Sequence, residues 1–314
     1  MTRSVLVALL WIALQLSGCA DPRLEPGEGF VAVPGGRVWY RIVGSGRATP
    51  LLVLHGGPGA SSSYLRSLEA LADERPVVFY DQLGGGKSDR PDDPALWTTE
   101  RFLAELAAVR AQLGLRRVHL LGHSWGATLA AEHAFGGAAG IESLILASPL
   151  LSTELWMRDA AALRSALPAE TQAVLTAHEQ AGTTDSLEYR TAAGEYYARH
   201  LVRRRPLPPE LREMNALLGM QVYSRLWGPS EFFVTGSLRD YEARARLPQL
   251  RMPVLFTAGR YDEAVPATVA EFQRLVAGSR LVVLENSAHM TPLDEPEAFT
   301  AAIRGFLREV EAAR

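Results

Sequence analysis

The stretch LLGHSWGATLA (Leu120–Ala130) decides how the chain reads. An apolar run, Val118 to Leu121, leads into Gly122-His123-Ser124-Trp125-Gly126, and a helix-forming run follows. G-x-S-x-G suits a sharp turn from a strand into a helix, with the serine hydroxyl held out at the apex. Glycines two residues to either side let neighbouring backbone pass close by. A serine presented this way needs a base to take its proton and an acid to orient that base. It also needs donors for the oxyanion that forms. Those parts must come from elsewhere in the chain.

Upstream of the serine, strand-like runs alternate with helical ones. Val31–Val33 and Val38–Val43 flank Pro34-Gly35-Gly36 and read as a hairpin. Pro50–Leu54 and Pro76–Tyr80 are continuous apolar runs, the mark of strands buried on both faces. Tyr64–Leu71 is helix-like. Thr99–Leu113 is a stronger helix, with Thr99 as its expected cap and Leu103, Leu106, Val109 and Leu113 at helical spacing. Trp125–Phe135 continues as helix and Ser143–Ala147 as strand. The alternation implies a mainly parallel sheet with helices on both faces, an α/β class. It stops between Leu151 and Leu250, a segment that reads as several helices and no buried strand. Strand grammar resumes at Pro253–Thr257 and Leu281–Leu284, and a final amphipathic helix runs from Pro296 to Glu311. The expected organisation is a core of residues 29–150 and 251–314 with a helical lid, 151–250, inserted over the sheet.

Open parallel sheets bind ligands at the C-terminal ends of their strands. Ser124, Asp262 and His289 each follow a strand, in the chain order Ser, Asp, His of the α/β hydrolases. Ser124 is the expected nucleophile and His289 the general base. Asp262 would hold the imidazole in its productive tautomer. Glu263 and Asp240 compete with Asp262 for the acid's role, and His55, His119 and His123 compete with His289. Position after the last strand favours His289. His55 and His123 read as structural neighbours that bond loop backbone. The oxyanion hole should combine Trp125 N–H with an amide of His55-Gly56-Gly57-Pro58-Gly59, Gly57 first and Gly56 as the alternative. Gly84-Gly85-Gly86-Lys87-Ser88 lacks the spacing of a phosphate loop, and Pro91 and Pro94 oppose a following helix. No cofactor is expected, and the seven histidines show no metal-ligand spacing.

Three motifs together resemble the proline iminopeptidases, serine aminopeptidases of the α/β-hydrolase fold. They are His55-Gly56-Gly57-Pro58-Gly59, Tyr80-Asp81-Gln82-Leu83-Gly84 with Gly86 and Ser88-Asp89, and Gly122-His123-Ser124-Trp125-Gly126. Trp227-Gly228-Pro229-Ser230-Glu231-Phe232, followed by Thr235-Gly236-Ser237-Leu238, is similar to a lid segment of the branch containing the archaeal tricorn-interacting aminopeptidase. The resemblance spans most of residues 30–310. It implies removal of an N-terminal residue, often proline, from short peptides or amides. Such an enzyme must recognise a free ammonium, a task for lid carboxylates. Glu231 is the first candidate and Glu195, in Gly194-Glu195-Tyr196-Tyr197, the second. Trp125, Tyr223, Trp227 and Phe232 would wall a proline ring. A carboxylesterase on the same scaffold is the alternative, since it has no need of an ammonium site. A non-catalytic binding protein would predict a broken triad.

The composition bounds the chain to one large domain with an insertion or two small domains. Of 314 residues, 47% are hydrophobic and 21% charged, with a formal net charge of −3 and no basic stripe for nucleic acid. At the N-terminus, Arg3 precedes an apolar core, Val5–Leu16, of signal-peptide length and short of the roughly 20 residues of a membrane span. Leu16-Ser17-Gly18-Cys19 resembles a bacterial lipoprotein signal. The expectation is a signal peptide over 1–18, lipidation at Cys19 and a polar tether over 19–28, anchoring the protein in the bacterial envelope; secretion after ordinary signal cleavage is the alternative. Cys19 is the single cysteine, so no intramolecular disulfide is possible.

Overall fold

A glycine turn sets the first hairpin. β1 (Gly27–Val33) and β2 (Gly36–Val43) pair antiparallel, and Gly35 takes φ 94°, a conformation L side chains avoid. The chain is seen here as a computed structural model that describes residues 23–313, so the expected signal segment and Cys19 lie outside the described residues. Part of the expected 19–28 tether belongs to the fold. Gly27 and Glu28 already belong to β1, and Leu24 is buried and exchanges two 3.0 Å backbone hydrogen bonds with Gly46.

Five strands follow: β3 (Leu51–Leu54), β4 (Val77–Tyr80), β5 (Val118–His123), β6 (Ile141–Ala147) and β7 (Val254–Gly259), with β8 (Arg280–Leu284) at the far edge. The eight strands form one sheet in the order β1-β2-β4-β3-β5-β6-β7-β8, parallel from β4 onward. β3, β4, β5 and β7 are buried along their whole length, as their unbroken apolar runs require. Successive side chains feed opposite cores: Leu52 and Leu54 join one apolar cluster, Leu51 and Val53 the other.

Helices cover both faces. α1 (Thr99–Gln112), α2 (Trp125–Phe135) and, further on, residues 266–275 bury Phe102, Leu106, Leu129, Val269 and Phe272 on one side. The Thr98 side chain caps α1 by accepting from Arg101 N–H, one residue before the expected Thr99. The 3-10 segment Ser62–Asp73 and the C-terminal helix bury Leu65, Leu68, Phe299 and Ile303 on the other. Between β6 and β7 come α3 (Thr153–Ser165), α4 (Ala169–Ala181), α5 (Leu187–His200), α6 (Pro209–Ala216) and α7 (Met220–Leu226). After β7 come α8 (Pro266–Leu275), α9 (Thr291–Asp294) and α10 (Pro296–Ala312). Part of the lid has its own core, with Ala160, Leu175, Tyr189, Tyr196 and Phe232 packed together.

The lid is sewn to the sheet's last loop. His289 N–H donates to His200 O at 3.0 Å and Met290 N–H to Leu201 O at 2.8 Å. The Asp294 carboxylate accepts from Arg203 N–H, Arg204 N–H and Ala288 N–H. The end of α5 and the loop carrying His289 therefore move as one unit.

β5 and α2 meet so closely that only glycine fits. A Cβ on Gly122 would lie 2.1 Å from Gly126 O, and one on Gly126 would lie 2.3 Å from Leu54 O. Replacing Gly122 by alanine should cost about 2–3 kcal/mol, because backbone rather than a flexible side chain must yield. Urea unfolding should show a lower midpoint with an unchanged slope.

Candidate active site

Ser124 sits at the joint between β5 and α2 with φ 56° and ψ −120°, one of two non-glycine residues with positive φ among the described residues. A serine held there stores strain that the surrounding packing must sustain. It is nearly buried, and its hydroxyl lines the same cavity as Gly57 and His289.

Asp262 follows β7 and is fixed from four sides. Its Oδ1 accepts from His289 Nδ1 at 2.8 Å and from Ala264 N–H at 2.8 Å. Its Oδ2 accepts from Ser148 Oγ at 2.6 Å and from Gly259 N–H at 3.1 Å. With Nδ1 donating to the carboxylate, the His289 Nε2 lone pair is left for a proton. Ser148 is the other non-glycine residue with positive φ, 45°, at the end of β6. Sequence reading passed over it, although a polar residue following a buried strand was the signal used for Ser124.

A directed chain of hydrogen bonds joins the glycine loop to the base. His289 O can only accept, so the 2.9 Å contact requires a proton on His123 Nε2. Burial pushes the His123 pKa down to about 3, so the ring is neutral and its Nδ1 accepts. Tyr64 O–H therefore donates to Nδ1 at 2.9 Å, and its oxygen accepts from Gly56 N–H at 2.7 Å. That bond removes the Gly56 alternative for the oxyanion hole. The amides of Gly57 and Trp125 make no hydrogen bond among the described residues; Trp125 follows Ser124 in the chain and Gly57 lines the same cavity. Gly57, at φ 114°, could not be replaced without strain. His55 serves the same loop. Its Nε2 accepts from Gln82 N–H, its Nδ1 bonds Gly56 O, and Gln82 Oε1 accepts from Trp125 Nε1.

The lid contributes a carboxylate. Glu231 lines the cavity and accepts from Tyr223 O–H at 2.7 Å, while its backbone carbonyl accepts from Trp156 Nε1. Within electrostatic reach of Glu231, Glu263 is fully buried, with neither carboxylate oxygen hydrogen-bonded. Its Oε1 stands 4.0 Å from His289 Nε2. Burial raises the pKa of both carboxyls, and the negative charge of Glu231 raises that of Glu263 further. Sequence reading weighed Glu263 only as a rival to Asp262. Glu195, the second expected ammonium ligand, is misplaced by that reading: it is exposed on the outer side of α5, over a shallow groove with Glu170 and Glu188. Of the four aromatics expected to wall the site, only Tyr223 lines the cavity. Trp125, Trp227 and Phe232 are buried behind it, and Tyr64, Tyr189 and Tyr197 take their place.

Comparison with known proteins agrees with this geometry. A family model described as the alpha/beta hydrolase fold matches residues 49–296. A proline iminopeptidase of Heyndrickxia coagulans is 44% identical over 286 residues, 90% of this chain and 99% of that protein. The crystal structure of proline iminopeptidase from Mycobacterium smegmatis superposes with a TM-score of 0.83 at 38% identity, covering 91% of this chain and 99% of that one. The crystal structure of VinJ gives 0.87 at 38% identity, covering 91% and 100%.

Two substitutions test the arrangement. Ser124→Ala should lower turnover by at least about 10⁴-fold and abolish labelling by a fluorophosphonate, with the fold intact by circular dichroism. Ser148→Ala should lower kcat by about tenfold or more with little change in KM, because it removes one charge-assisted bond from Asp262 without touching substrate.

Proposed function

We propose that this chain, which belongs to the proline iminopeptidase family of α/β hydrolases, is a serine aminopeptidase whose substrate ammonium is held between Glu231 and Glu263. The observation that carries the reading is the unpartnered, buried Glu263 carboxylate, 4.0 Å from His289 Nε2 and within electrostatic reach of the cavity-lining Glu231. A buried carboxylate without a partner is costly, and a protonated N-terminus relieves that cost where an ester does not.

The reaction follows from this placement. With its ammonium held, the first residue's carbonyl carbon stands before Ser124 Oγ and its oxygen faces Gly57 N–H and Trp125 N–H. His289 Nε2 takes the Ser124 proton as Oγ adds to the carbon. The tetrahedral oxyanion is stabilised by the two amides, and Asp262 stabilises the imidazolium. The imidazolium gives its proton to the leaving nitrogen, and the C–N bond breaks. Water, deprotonated by His289, then opens the acyl-enzyme and releases the N-terminal amino acid. Proline is the favoured first residue, supported by the named relatives and by a tyrosine-lined cavity end at Tyr197 and Tyr223.

For localisation we propose export and lipid attachment at Cys19. The support is the apolar run Val5–Leu16 and the Leu16-Ser17-Gly18-Cys19 motif. Peptides outside the cytoplasm would then be its substrates.

Purified protein beginning after Cys19 should cleave proline p-nitroanilide at least about 100-fold faster than its N-acetyl derivative. Glu263→Gln and Glu231→Gln should each lose most of that preference through KM and spare p-nitrophenyl acetate. Equal loss on amide and ester would assign the carboxylates to lid structure instead. The two carboxyls have raised pKa values, so ammonium binding is full above that range and weakens as pH falls. KM for the free-amine substrate should therefore rise at a pH higher than ordinary carboxylates would dictate.

A further inference from the structure

The cavity is larger than one amino acid requires. It measures about 500 Å³, room for several residues, yet its chemical end is confined to Ser124, Gly57, His289 and Glu231. Beyond that end the wall belongs to α5, α6 and the turn between them. Val202, Leu211 and Met214 form a buried floor, and Leu201 and Leu218 are half-buried above it. Apart from Asn215, an exposed residue of the lining, α6 turns its polar side away. Glu213 pairs with Arg66 at 2.7 Å and Glu210 O accepts from Ser63 Oγ, so the helix is fixed by the side that does not face the cavity. The wall ends at the surface in Leu207 and Met220, 38% and 52% exposed. They are two of only six large hydrophobics left so exposed among the described residues, and both sit at the cavity's rim. The charged side chains on the lining apart from Glu231 and the histidines, Arg190 and Arg205, are both exposed.

We infer that this apolar chamber takes the leaving group, and that the preferred substrates are short peptides with a large apolar second residue. The inference rests on the reading of Glu231 and Glu263 as the ammonium end. Once the ammonium and the scissile carbonyl are fixed there, the remaining volume faces the leaving amine. An apolar side chain in the chamber is removed from water on both sides, whereas glycine leaves the space unfilled. An aspartate at the second position would lose hydration with no hydrogen-bond donor on the chamber floor to replace it. Exposed apolar side chains at a rim mark where a ligand covers them. Here Leu207 and Met220 extend the same preference to the third residue.

The test compares Pro-Gly, Pro-Leu, Pro-Phe and Pro-Asp dipeptide amides with the unmodified enzyme. The expected order of kcat/KM is Phe and Leu above Gly by about tenfold or more, with Asp lowest. Met214→Ala should shrink the leucine-to-glycine ratio by about threefold or more. Because a floor substitution can disturb packing, the exposed pair Leu207→Glu with Met220→Glu is made alongside. On tripeptide amides it should reverse a preference for leucine over arginine at the third position. Equal rates across the dipeptides would overturn the inference, and so would variants that shift preference for the first residue rather than the second. Either result leaves the free-amine preference intact. Loss of that preference itself would instead sink the ammonium assignment.

Discussion

The site depends on how closely helix α2 approaches the sheet. The Gly126 carbonyl stands where a Gly122 Cβ would be, and the carbonyl of Leu54 stands where a Gly126 Cβ would be. With no side chains between them, the backbones of β3, β5 and α2 meet directly. Ser124 is then forced to an apex with φ 56°. The same proximity brings the loop after β3, with Gly57, beside the first amide of α2. Nucleophile and oxyanion donors are therefore products of one packing constraint. Catalysis by oriented amides requires such rigidity, because donors that must first reorganise lose most of their advantage.

Buried hydrogen bonds carry that rigidity across to the base. Gly56, Tyr64, His123 and the carbonyl of His289 form a chain whose donor directions are fully determined by the final acceptor and by the neutrality of His123. His55 and Gln82 tie the same glycine loop to the Trp125 indole. Each group in this set is buried, so each bond broken would leave an unsatisfied partner at a cost of about 1–3 kcal/mol. The loop carrying His289 is also bonded to the end of α5. The lid is thus part of the frame that holds the base, and it also supplies Tyr197 and Glu231 to the substrate end.

How much of this was legible in the sequence depended on whether the signal was local. The sheet, the helical insertion and the positions of Ser124, Asp262 and His289 were readable because apolar runs and the residues that end them lie next to one another in the chain. His55 and His123 were rightly read as neighbours of loop backbone. Glu195 was misread through helix phase. Tyr189, Ala192, Ala193 and Tyr196 turn inward on α5, and Glu195, one residue before Tyr196, turns out. That periodicity was present in the sequence and could have been used. Glu263 and Ser148 were missed for a different reason. A second carboxylate next to Asp262 reads as a solvated loop residue, and nothing local reveals that it is buried without a partner. The role proposed for it emerges only when the fold brings Glu231, 32 positions earlier, within electrostatic reach.

The charge distribution along the cavity gives the enzyme its direction. Glu231 lines one end with Glu263 buried behind it; burial raises the pKa of both, and the charge of Glu231 raises that of Glu263 further, so on the proposed reading a cation at this end is favoured. Apart from the exposed Asn215, the other wall is apolar from Val202 to the Met220 rim, with arginines only where the wall meets solvent. A peptide entering with its ammonium first satisfies both ends at once. Reversed, it would put a carboxylate against Glu231 and Glu263 and an ammonium against Leu211 and Met214. Like-charge contact and unpaired desolvation would each cost several kcal/mol. Discrimination between the two ends of a peptide therefore needs no clash with any particular side chain. On the proposed reading it follows from placing buried carboxyl groups near the base and keeping charge off the opposite wall.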